Sequence, residues 1–151
     1  VLTIPAGASK PEAVTGLLLS GIPHEDVVRH VGNRCLVSGT SSMEFDGQID
    51  GTGEHTFFSV GHGLCPEELG PFLLDETIHE EGTFTGTVLG SDEGTFVYRC
   101  QNVWRTDDPE TWMLDCNIRG GTGGLSGLHG HLTLYGPKLV YEGSVHFDPQ
   151  P

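Results

Sequence analysis

The chain has 151 residues, a formal net charge of −14, and seven lysines and arginines against twenty-one acids. That length suits one domain, which buries about two-thirds of the surface its unfolded chain exposes. So few cations exclude a surface that tracks nucleic-acid phosphates or an anionic membrane, and the longest apolar run, Gly16 to Leu19, falls far short of the ~20 residues of a spanning helix.

Residues 1–10 lack periodicity and read as an arm. Pro11–Ser20 and Pro23–Val31 read as two short helices. In the second, Pro23 suits the first turn, Glu25 and Asp26 the positive end of the dipole, Arg29 and His30 the negative end, and Gly32 the stop. The expected organisation is an arm with short helices over 1–33, followed by a β domain over 34–151.

From Arg34 the period changes to two. Met43, Phe45 and Ile49 alternate with Glu44, Asp46, Gln48 and Asp50, the pattern of a half-buried antiparallel strand. Strands are expected over Glu54–Val60, Thr77–Leu89, Thr95–Trp104, Thr111–Ile118, Leu128–Tyr135 and Leu139–Phe147. Turn signals such as Gly90-Ser91-Asp92-Glu93-Gly94 and Gly136-Pro137-Lys138 separate them. About eight strands with no helix between them give an all-β fold, a single antiparallel up-and-down β-barrel. The long loop Gly61–Glu76 is a candidate rim or lid.

Two hairpins can be indexed from symmetry. Centring one on Asp108 sets Cys100 opposite Cys116, Tyr98 opposite Ile118, Asn102 opposite Leu114 and Trp104 opposite Trp112, all on one aromatic face. If that face lines a pocket, Trp104, Trp112 and Phe84 are its walls, Tyr98 and Asn102 are candidate catalytic hydrogen-bonding groups, and Tyr141 is a further candidate contact. The alternative is that the same residues fill the core. Four cysteines without a C-x-x-C pair suggest buried thiols, with Cys100 and Cys116 near enough for a cross-strand disulfide in an oxidising compartment. Nothing fixes the compartment, and the cytoplasm is the default.

The second hairpin pairs His129 with His146, His131 with Ser144 and Thr133 with Glu142. His129, His131, His146 and Glu142 share a face that is chemically sufficient for zinc, iron or manganese. The opposite face, with Leu132, Leu134, Tyr141 and Val145, makes the better core, so the histidines are expected in solvent and no metal is assigned. His55, His62, His79, Glu80 and Glu81 could each serve as a general acid or base, with surface residence the expectation for each.

Gly120-Gly121-Thr122-Gly123-Gly124-Leu125-Ser126-Gly127-Leu128-His129-Gly130 cannot be a helix and reads as a tight corner between strands. It resembles the late glycine motif of the allene oxide cyclase and dirigent β-barrels, and Ile49-Asp50-Gly51, Gly82-Thr83-Phe84 and Gly94-Thr95-Phe96 resemble strands of a bacterial family grouped with those barrels. The chain is closest to this uncharacterised bacterial family with its GTGxLxGLxG motif. The resemblance covers roughly residues 40–147. It implies an isomerase or cyclase that needs no cofactor and folds an apolar polyketide-, terpenoid- or lipid-like molecule inside the barrel, in secondary metabolism. The rival readings are a lipocalin-like carrier with the same pocket, and a cupin-like metalloenzyme using the histidine face. The expected partner is the small molecule alone, with homo-oligomerisation left open.

Overall fold

The computed structural model describes residues 10–21, 24–62, 65, 77–102, 112–136 and 139–148. Nine strands run through them: β1 (Glu12–Ser20), β2 (His24–Val31), β3 (Arg34–Gly47), β4 (Ile49–His62), β5 (Thr77–Val88), β6 (Gly94–Asn102), β7 (Trp112–Gly123), β8 (Leu128–Gly136) and β9 (Val140–Phe147). Each of β3 to β8 pairs antiparallel with the next. β1 then bonds β9 on one edge and β3 on the other, closing an eight-stranded barrel.

The two expected N-terminal helices are strands. β1 is a stave of the barrel, so the body begins well before residue 34. β2 continues along the same edge of β3, from Arg34 to Thr40, where β1 has covered Met43 to Gly47. The reason is tertiary. Without β1, the facing edges of β3 and β9 would present rows of unpaired amides, and pairing both outweighs a short segment's helix signals. Among the described residues there is no helix.

Both indexed registers are observed. Cys100 faces Cys116, Tyr98 faces Ile118 and Asn102 faces Leu114, while His129 faces His146 and Thr133 faces Glu142. Paired residues followed from Tyr141 through Leu134, Leu114, Asn102, Ile78 and Ser59 lead to Val37 on β3; through Gly16 they lead to Gly47, ten residues further on. That stagger exceeds the strand number and goes with steeply tilted staves.

One end of the barrel is packed solid. Phe84 stacks on Phe96 at 4.3 Å, Phe45 meets the edges of Phe84 and Tyr141, and Ile49, Val88, Leu125 and Leu128 complete the plug. The glycine run makes the β7–β8 corner. Gly123 and Gly127 take φ of +61° and +79°, and the turn tucks Leu125 completely into the barrel end. Tyr141 is fixed there by its hydroxyl, which accepts from Ile49 N at 2.8 Å and donates to Ile49 O at 3.0 Å.

The cysteines are disulfides and not free thiols. Cys100–Cys116 crosslinks β6 to β7, and Cys35–Cys65 ties β3 to the β4–β5 connection. The second pair has no signal in the spacing, because Cys65 belongs to no strand whose register could be indexed. Apart from Cys65 and the flanking residues 61 and 62, the expected rim loop lies outside the described residues.

Candidate functional site

Inward positions alternate along the staves. β4 turns His55, Phe57 and Ser59 inward, β5 turns Glu80, Gly82 and Phe84, and β6 turns Phe96, Tyr98 and Cys100. In the register, His55 lies opposite Gly82 and Gly82 opposite Tyr98. A glycine between two large residues leaves a gap that their side chains bridge, and His55 Nδ1 and Tyr98 Oη meet at 2.9 Å. A Cβ on Gly82 would stand 2.7 Å from the Tyr98 ring, and one on Gly53 would stand 2.7 Å from its hydroxyl. Two glycines thus form the seat of this tyrosine.

Glu80 stands one inward position beyond Gly82, with Oε1 3.7 Å from His55 Nε2. The side chains of His55 and Glu80 are 3 % and 11 % exposed. Burial opposes charge on both, lowering the His55 pKa to about 4 and raising that of Glu80 to about 7. The pair is therefore neutral over mildly acidic pH, and the 3.7 Å approach is no standing ion pair. Glu80 Oε2 is buried with no hydrogen-bond partner among the described residues. Tyr98 is pushed far above the usual phenol range, chiefly by burial and then by the carboxylates of Glu80 and Glu54, so it stays a hydroxyl. Two open surface concavities, of about 600 and 640 Å3, border this wall; Glu80 lines the first and His55 the second.

Of the residues singled out in the sequence, Tyr98 belongs to this group. Asn102 lies higher on the same face, where its Oδ1 accepts from Ile78 N at 3.1 Å. Phe84 and Tyr141 are fully buried in the plugged end, and both fill the core there. Trp104 and the Trp112 side chain lie outside the described residues. The histidine hairpin faces outward as expected: His129 pairs with Asp148 at 2.7 Å and stacks on His146, Glu142 accepts from Tyr135, and His131 stands 3.7 Å from Asp115. Among the described residues no three histidine, cysteine or acidic side chains come close enough to hold a metal.

His55 and Glu80 were expected at the surface and point inward. Their signal was the strand period: counting back by twos from Phe84 reaches Glu80, and forward by twos from Ile49 reaches His55. What hid them is that a carboxyl and an imidazole are seldom placed inside a barrel.

No protein-family model matches the chain, and no curated protein does. A solved structure from Shewanella oneidensis, a protein of unknown function from the DUF3224 family, resembles it with a TM-score of 0.70 at 18 % identity, covering 93 % of this chain and 100 % of that one. At that identity the likeness shows the barrel fold alone.

Proposed function

We propose that the barrel binds an oxygen-bearing, otherwise apolar molecule and isomerises or cyclises it by general-acid catalysis from the Glu80–His55–Tyr98 group. The observation that carries this reading is the buried Glu80 carboxyl, one oxygen of which has no hydrogen-bond partner among the described residues. A purely structural residue there would be apolar or fully hydrogen-bonded, because an unmatched buried polar atom costs about 1–3 kcal/mol. Perturbed acids of this kind concentrate at functional sites.

With Glu80 protonated, its O–H points to His55 Nε2, His55 Nδ1–H donates to the Tyr98 oxygen, and the Tyr98 O–H is free to donate to a substrate epoxide or carbonyl oxygen. When the C–O bond opens, the Tyr98 proton passes to the substrate oxygen, His55 Nδ1 resupplies Tyr98, and Glu80 resupplies His55 Nε2. Glu80 is left as the carboxylate and His55 in its other neutral tautomer. The proton lost from the product returns along the same path. The step needs the 3.7 Å gap to close by a small rotation of Glu80. Once Glu80 has lost its proton, Tyr98 donates to His55 and no longer to substrate. Activity should therefore be present below about pH 7 and fall above it. The concavity beside Glu80, lined also by Phe57 and Phe58, offers the apolar surface for orientation, which is the larger part of catalysis when a flexible substrate must close on itself.

Styrene oxide is a suitable probe, with loss of the epoxide followed by gas chromatography. The wild-type protein should accelerate its opening at pH 6, and Tyr98→Phe and Glu80→Gln should each lose at least about 100-fold of that acceleration. Saturable binding without acceleration would make the protein a carrier; equal rates in all three proteins would remove the group from the chemistry.

A further inference from the structure

We infer that the outer face of β1 and β3 is a docking surface for a cationic amphipathic helix of a partner protein. Strand parity turns Leu18 into the barrel, so Leu17 and Leu19 point out, exposed at 56 % and 58 %. They are the two most exposed large apolar side chains among the described residues. Val140 and Tyr135 extend the apolar surface sideways, because Leu17 lies opposite Val140 and Val140 opposite Tyr135, and both are half-buried. Single apolar side chains on a surface are ordinary, whereas a contiguous group rimmed by polar residues marks a contact with another molecule.

The occupant follows from what stands beside the leucines. Across the β1–β3 ladder Leu17 faces Asp46 and Leu19 faces Glu44, both of them exposed carboxylates. Two rows result, one of leucine and one of acid, about 4.8 Å apart and with about 6.8 Å between side chains along each. Glu142 lies one outward position beyond Val140, and β1, β8 and β9 hold no lysine or arginine. An α-helix laid along β1 repeats its side chains at i and i+4, a rise of about 6 Å. Apolar residues on one stripe of that helix then meet Leu17 and Leu19, while lysines or arginines on the neighbouring stripe meet Asp46 and Glu44. A second copy of this chain would bring a net charge of −14 to the same acids and be repelled. A cationic partner is drawn in by that field, and the leucines give it a fixed seat.

Fluorescence anisotropy at low salt tests this, with a labelled helical peptide of leucine and lysine, its leucines on one face, titrated with the full chain. Wild type should bind it saturably with a dissociation constant on the order of micromolar, and the same peptide with glutamate in place of lysine should not bind. Leu17→Ser with Leu19→Ser, and Glu44→Gln with Asp46→Asn, should each weaken binding at least about tenfold. Glu25→Gln with Glu81→Gln removes the same charge elsewhere on the surface and should leave the affinity within about twofold. All of these side chains are exposed, so each variant should unfold thermally close to the wild-type midpoint, which separates lost binding from lost structure. Absence of saturable binding, an equal loss in the Glu25 and Glu81 variant, or equal binding of the glutamate peptide would overturn the proposal. So would sedimentation of the chain alone as a dimer that Leu17→Ser with Leu19→Ser dissolves, since the face would then belong to a second copy.

Discussion

Glu80 and His55 act on stability in opposite directions as pH changes. A carboxyl whose pKa rises from 4.5 to about 7 on folding keeps its proton where the unfolded chain has lost it, so it imposes a cost that is absent below pH 4.5 and full above about 7. An imidazole whose pKa falls from 6.5 to about 4 imposes a cost that is full below about 4 and gone above 6.5. Each shift corresponds to about 3 kcal/mol as an order of magnitude. In the wild type the two slopes oppose between pH 4.5 and 6.5. Glu80→Gln should therefore leave a protein whose stability rises with pH across that window, and His55→Gln one whose stability falls from pH 4.5 to 7, both read by urea denaturation. Tyr141 makes a contrasting case. Among the described residues its hydroxyl bonds only Ile49, so Tyr141→Phe should cost about 1–3 kcal/mol at every pH tested and leave ligand binding unchanged.

At the level of elements, hairpins were legible and the closing stave was not. β6–β7 and β8–β9 have their turn residues and alternating faces in one short stretch, so centring on the turn recovers the register. β1 carries a continuous Leu17-Leu18-Leu19 run that fits a helix face or a strand equally, and its partners β9 and β3 are brought to it only by closure. Strand geometry makes a sharp expectation here, because neighbouring leucines point to opposite sides. Leu18 is 2 % exposed and Leu19 58 %. Leu18→Ala should cost about 2–5 kcal/mol and Leu19→Ala less than about 0.5, measured by thermal unfolding. The site was half legible for a related reason. The β6 face is aromatic and declared itself, whereas His55 and Glu80 were visible only after β4 and β5 had been phased from Ile49 and Phe84.

On the scale of the whole molecule, the barrel is solid at one end and chemically loaded toward the other. The hairpin turns β3–β4, β5–β6 and β7–β8 gather over the aromatic plug, and the triad stands farther along the same staves. Two disulfides brace this arrangement, one linking β6 to β7 beside the Glu80 row and one holding the β4–β5 connection to β3. Thiol titration in denaturant without reductant should find no free cysteine, and replacing Cys100 and Cys116 together by alanine should lower stability by about 3 kcal/mol. Such bonds persist in oxidising compartments, which places the expected site of action outside a reducing cytosol. The proposed proton relay turns on the hydrogen-bond direction through His55. Nitrogen-15 spectra of the histidine rings between pH 5 and 9, with the His55 signals identified by their loss in His55→Gln, report it directly. A ring that stays neutral throughout, carrying its proton on Nδ1 below about pH 7 and on Nε2 above, with the switch abolished by Glu80→Gln, is the predicted result; a ring that takes up a second proton near pH 6.5, or holds one tautomer whatever stands at position 80, would contradict it.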